Sequence, residues 1–256
     1  MSATAMLSRR IWPVPPGITQ CLAICLMVFL SSASTTPAQA REIRFGAYDE
    51  FTLVNYDGEQ IKDDVLFVFH GFGPAMPNGA YNKLYTAFSE HFSIIGFNYD
   101  YFDLDGNDAA VERVWEGLLK NRNVIFIGTS LGGFWANHYA EKYGVKRVVL
   151  VNPVVKPAEQ LRQFIGKYRA EKRGKDILIT EEKVSRYASR TSSPTAGIER
   201  LIFLSRDDQV LDYQLSENAY SGANNTGIVF DEGGHTMNLN QDRYLDPLRA
   251  FLLPSK

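Results

Sequence analysis

The sequence predicts an α/β fold, with a mostly parallel central sheet, helices on both faces and a small helical cap. Three observations carry the prediction. Short apolar runs recur along the chain, and six of them are continuous enough to be strands buried on both faces. Segments with helical periodicity separate them, the alternation that builds a parallel sheet. One run, Val124–Ile127, ends at a serine flanked by glycines, Gly128-Thr129-Ser130-Leu131-Gly132, and the chain then turns helical.

In chain order, residues 1–40 read as a cleavable export segment outside the fold. Arg9 and Arg10 form its positive start, CLAICLMVFL (21–30) its apolar core, and Ala38-Gln39-Ala40 its cleavage pattern. The apolar core falls well short of the ~18 residues of a membrane span. The expected mature chain begins at Arg41 and is periplasmic or secreted, with no stable membrane anchor. Its 216 residues suffice for one single-core domain. Cys21 and Cys25 both lie in the removed segment, which excludes a disulfide, a thiol nucleophile and a cysteine-held metal. With 25 basic and 29 acidic side chains, the mature chain is not built for nucleic acid.

The stretch EIRFGAYDEFTLVNYD (42–57) alternates and predicts one or two leading antiparallel strands. Core strands are predicted at 65–69, 92–98, 123–128, 147–152, 200–205 and 227–231. Helices are predicted at 79–91, 107–120, 131–143, 157–170, 212–220 and 241–252. The interval 156–199 is too long for a plain crossover between two strands, so it is assigned to the cap. DLDGNDAAV (103–111) has the Asp103, Asp105 and Asn107 spacing of a calcium loop. It has Asp108 where that loop needs glycine and Val114 where it needs glutamate, so it reads as a polar cap on the next helix.

The chemistry starts at Ser130. In G-x-S-x-G the glycines remove the Cβ atoms that would hold strand and helix apart, and the serine hydroxyl is left exposed at the corner. A nucleophilic serine needs a base, and the base needs an orienting acid. Of the histidines, His70 ends the first core strand, His91 lies near the end of the first helix, and His138 lies more than two turns into the helix after Ser130. His235, in DEGGHTMN beyond the last strand, shares with Ser130 the rim formed by the strands' carboxyl ends, so it is the expected base. The acid belongs in the loop RDDQVLDY after strand 200–205. Asp208 is favoured there, Asp207 is the alternative one residue away, and Asp212 suits a helix cap. Serine, acid, histidine is the chain order of an α/β-hydrolase. Backbone N–H groups of Leu131 and of Phe72, in HGFG after the first core strand, are the expected oxyanion donors.

These residues resemble a known group. GTSLGGFWANHYAEKYGVKRVVLVNPVVKP, SRDDQVLDYQLSENAY and DEGGHTMN are similar to the small bacterial α/β-hydrolases of the YqiA esterase type, over about Val65–Leu252. The resemblance implies an α/β-hydrolase fold and a compact serine esterase that needs no cofactor. It also implies that Ser130, Asp208 and His235 occupy the catalytic positions. The export segment and the longer stretch after Pro157 depart from the group.

The functional expectation is an exported serine hydrolase of a small carboxylic ester or thioester, working through an acyl-enzyme. An amidase or peptidase on the same residues, or a non-catalytic binding protein on the same fold, are the alternatives. Tyr99 and Tyr101, in NYDYF (98–102) after a strand, are expected to line the substrate pocket, with ordinary aromatic packing as the alternative. Residues 156–200 carry eleven Lys and Arg against six acids. Such a basic cap over an acidic body would draw an anionic ester to the site, and a solvated helical surface whose charges face away is the alternative.

Overall fold

The computed structural model describes residues 41–44, 51–58, 60–170, 175–190, 194–222 and 224–253, and the expected export segment lies outside them. The two leading strands, β1 (Arg41–Arg44) and β2 (Thr52–Asn55), are antiparallel. The predicted core strands form as β3 (Asp64–Phe69), β4 (Ser93–Asn98), β5 (Asn123–Thr129), β6 (Arg147–Val151), β9 (Glu199–Ser205) and β10 (Asn225–Phe230). Together they make one sheet in the order β1-β2-β4-β3-β5-β6-β9-β10, parallel from β4 to β10. The chain begins its parallel part at β3, adds β4 on one side and then β5 on the other. The carboxyl ends of β3 and β5 are therefore a switch point, where open α/β sheets leave a crevice.

Both faces of the sheet are covered, which is why the strands read as continuous apolar runs. Along β3, Val65, Phe67 and Phe69 pack towards α2 (Leu104–Val114) and α3 (Leu131–Tyr143). Leu66 and Val68 pack towards α1 (Gly79–Phe88) and α7 (Asp242–Leu252). α2 begins at Leu104 because the Asp103 side chain accepts the Gly106 N–H at 3.1 Å, the capping role expected of that polar loop. A π-helical turn, Trp115–Leu119, continues it.

The stretch 156–199 departs from the helical cap predicted for it. A short α4 (Pro157–Gln160) and a 3₁₀ turn (Leu161–Phe164) end at Gly166, whose φ of +132° an L side chain rarely adopts. The chain then becomes an antiparallel hairpin of β7 (Gly166–Ala170) and β8 (Lys175–Ile179), followed by α5 (Glu181–Ser185). Leu161, Ile177, Ile179, Val184 and Tyr187 from this stretch join the core on the α3 side of the sheet.

The joint between β5 and α3 is the tightest point of the fold. Ser130 sits there at φ +56° and ψ −123°. A Cβ on Gly128 would lie 2.1 Å from the Gly132 carbonyl oxygen, and one on Gly132 would lie 2.3 Å from that of Phe69. Both neighbours are backbone and cannot swing aside. Gly128→Ala and Gly132→Ala should therefore each cost about 3 kcal/mol or more in urea unfolding. Gly117→Ala, where nothing lies within 4 Å, should be neutral or stabilising by up to about 1 kcal/mol.

Candidate active site

Ser130 is held by its backbone. Its N–H donates to the Val151 carbonyl at 2.9 Å, and its carbonyl accepts from the Gly133 and Val154 amides at 2.9 and 3.0 Å. The strand beside β5 thus fixes a conformation that costs a non-glycine residue energy in isolation. The side chain, 8% exposed, lines a cavity of about 650 Å³ together with His235 and the segment that follows β3. No hydrogen bond joins the Ser130 hydroxyl to His235 among the described residues.

The acid loop after β9 sorts its three aspartates by their partners. Asp208 Oδ2 lies 2.8 Å from His235 Nδ1, and its Oδ1 accepts the Val210 and Leu211 amides at 2.8 and 3.0 Å. Burial pushes the Asp208 carboxyl up, but the His235 hydrogen bond and those two amides outweigh it and hold the group below the usual carboxylate range. An ionised carboxylate only accepts, so the shared proton sits on His235 Nδ1, the arrangement that in a neutral imidazole leaves Nε2 as the acceptor. Asp207 instead accepts from the Ser205 hydroxyl and, at 2.8 Å, from the Gly234 amide, so it braces the loop that carries His235. Asp212 caps α6 (Tyr213–Ala219) by accepting the Gln214 amide at 2.9 Å.

The segment after β3 brings Gly71 against the serine, where a Cβ would lie 3.3 Å from Ser130 Cβ. Phe72 follows and lines the cavity. Leu131 opens α3, so its N–H has no partner within the helix. Tyr99 and Tyr101 require correction: both are buried in the α3-side core and neither lines the cavity. They hold the Phe72 segment from behind. The Tyr99 hydroxyl donates to the His70 carbonyl at 2.6 Å, and that of Tyr101 accepts the Gly73 amide at 2.9 Å. His70 lines the cavity and stacks on Tyr99, with ring centroids 4.4 Å apart.

The cap also falls elsewhere than expected. No described residue of 156–199 lines this cavity, whose apolar wall of Val68, Met76, Leu84, Ile127, Met237 and Leu239 lies on the α1 side of the sheet. Several basic side chains of the cap face acids instead. Arg190 pairs with Asp105 and Asp108 at 2.8 and 2.7 Å, Arg162 with Glu181 at 2.8 Å and Lys167 with Asp176 at 2.6 Å.

One residue went unassigned in the sequence. Asn152, buried and at φ +40°, sits at the end of β6 between the serine and the acid loop. Its Nδ2 donates to the Gly234 and His235 carbonyls at 2.9 and 3.0 Å, and its Oδ1 accepts the Ser205 amide at 2.9 Å. One side-chain amide therefore ties the loop of Asp208 to the loop of His235. The only hint of it in the sequence is an Asn-Pro step directly after an apolar strand.

Solved structures share this fold at low sequence identity. Est1E from Butyrivibrio proteoclasticus superposes with a TM-score of 0.62 at 15% identity, over 84% of this chain and 97% of its own. The esterase domain of a Rhodothermus marinus protein gives 0.59 at 16% identity, over 81% and 94%. Alpha/beta hydrolase domain-containing protein 10 from mouse gives 0.60 at 14% identity, over 82% and 95%. The architecture is that of an α/β-hydrolase, as the order of Ser130, Asp208 and His235 anticipated. Residues 66–253, which span every element from β3 to α7, match the uncharacterised protein family UPF0227, and the chain belongs to that family.

Proposed function

We propose that the protein is a serine hydrolase that cleaves a carboxylic ester or thioester through an acyl-enzyme on Ser130. The observation that carries this reading is the 2.8 Å Asp208–His235 contact, with His235 lining the same cavity as a serine held at positive φ. Ser130 Oγ attacks the substrate carbonyl carbon while His235 Nε2 takes the hydroxyl proton. Asp208 holds the imidazole in the tautomer this needs and stabilises the imidazolium that forms. The N–H groups of Phe72 and Leu131 receive the oxyanion. As the tetrahedral species collapses, the carbonyl-to-oxygen (or sulfur) bond breaks and His235 returns the proton to the leaving alcohol or thiol. Water, deprotonated by His235, then attacks the acyl-enzyme and releases the acid and Ser130. The cycle needs no cofactor, since every proton and electron pair is supplied by these side chains, substrate and water. The export segment expected at 1–40 puts this activity in the periplasm or outside the cell. No helix among the described residues is long and apolar enough to cross a membrane.

Hydrolysis of p-nitrophenyl esters of graded chain length tests the assignment. Ser130→Ala should lower kcat by about 10⁴–10⁶ and Asp208→Asn by about 10⁴. Asp207→Asn should cost less than about tenfold, because it loses only a brace on the loop. Asp212→Asn should stay within about twofold, because Asn caps a helix as well as Asp. Undiminished hydrolysis by purified Ser130→Ala contradicts the mechanism. Asn152 is a positioning residue in this scheme. Asn152→Ala and Asn152→Gly should both lower kcat, by roughly 10–100-fold, with KM little changed. Glycine accepts the positive φ without strain, so a Gly variant that keeps full kcat would assign the role to the backbone and not to the amide.

A further inference from the structure

The cavity beside Ser130 is electrostatically unlike the molecule around it. The whole chain carries 29 acidic side chains and a net charge of −2, yet no Asp or Glu is among the described residues that line the cavity. Histidines apart, its one charged lining side chain is Lys83, on α1. Lys83 is half-buried and its ammonium donates to Asn238 Oδ1 at 2.7 Å. No carboxylate lies within ion-pair distance of it among the described residues. The bond to Asn238 uses one of the three N–H donors of the ammonium.

The position of Lys83 makes that charge part of the site. Asn238 lies three residues beyond His235, so the Lys83–Asn238 bond joins α1 to the segment that carries the base. The cavity that Ser130 and Lys83 both line has the apolar wall named above, from β3, β5, α1 and residues 76, 237 and 239, with Asn78, Thr129 and Thr236 as polar lining side chains. A ligand whose carbonyl meets Ser130 thus shares one cavity with that apolar wall and with a cation that no described carboxylate pairs. No described residue of the basic cap lines this cavity, and Arg162, Arg186 and Arg190 of the cap pair with acids.

Building on the hydrolase reading, we infer that the substrate is an ester with an apolar arm ending in a carboxylate, which Lys83 binds. A single ammonium matches a single negative charge, whereas a doubly charged phosphate commonly recruits an arginine fork or several cations.

The test compares two pairs of esters on the intact protein. One pair carries the charge on the acyl arm: the p-nitrophenyl monoester of a dicarboxylic acid against the straight-chain p-nitrophenyl ester of equal length. The other carries it on the alcohol arm, as an acetate ester of an ω-hydroxy acid against that of the matching alkanol. In at least one pair, the charged-to-neutral ratio of kcat/KM should fall about three- to tenfold in Lys83→Gln and return in Lys83→Arg. Raising salt should lower the wild-type ratio in the same pair. Ratios unmoved by Lys83→Gln in both pairs, with neutral esters still cleaved in a Ser130-dependent way, overturn this inference and leave the hydrolase reading intact. Hydrolysis of none of the four esters overturns the hydrolase reading and this inference with it.

Discussion

The structure depends on one backbone constraint, the hydrogen bonding of the Ser130 corner to the end of β6. A serine at φ +56° is unfavourable alone, and it is held by the Val151 carbonyl on one side and the Val154 amide on the other. Between those two contacts lies Asn152, whose amide bridges the loops of Asp208 and His235. Residues 151–154 therefore touch the three segments that carry Ser130, Asp208 and His235. Pro153 closes the arrangement from the helix side, since a Cβ on Gly133 would lie 2.8 Å from it. Register between β5 and β6 thus sets the geometry of the whole rim.

The two faces of the sheet divide the labour. On the α3 side, aromatic rings from β3, β4 and α3 pack continuously with Tyr187 from the cap, and Tyr99 and Tyr101 reach from this mass to pin the Phe72 segment. On the α1 side, the packing is interrupted by the cavity. The rigid face fixes the backbone beside Ser130, and the open face leaves room for a ligand. The charge follows the same division. Arg162, Arg186 and Arg190 of the cap pair with α2 or with the cap's own acids, while Lys83 at the cavity has no acidic partner among the described residues.

Much of this was legible in the sequence because it is local. Each core strand is a continuous apolar run since both its faces are buried, and Gly128-Thr129-Ser130-Leu131-Gly132 predicts its own corner because only glycine fits at 2.1–2.3 Å from backbone oxygen. Asp208 was separable from Asp212 by the capping rule and from Asp207 by one residue of loop register. The residues misread are those whose partners are remote. Asn152 meets Gly234 and His235 across 82 and 83 residues of chain, a contact no local pattern encodes. Tyr99 and Tyr101 lie just beyond the end of β4 and, like Phe97, are buried in the α3-side core, where their hydroxyls meet the segment after β3. The hairpin at 166–179 was hidden because Gly166 breaks an otherwise helical reading of 157–170.

The central claim is that Ser130 is the nucleophile, prepared by the corner and by His235. The most direct measurement is exposure of the protein to a fluorophosphonate, followed by tryptic mass mapping. The account predicts one adduct, on the peptide 123–142, in which Ser130 is the only serine. No adduct, or one on a different peptide, would contradict it.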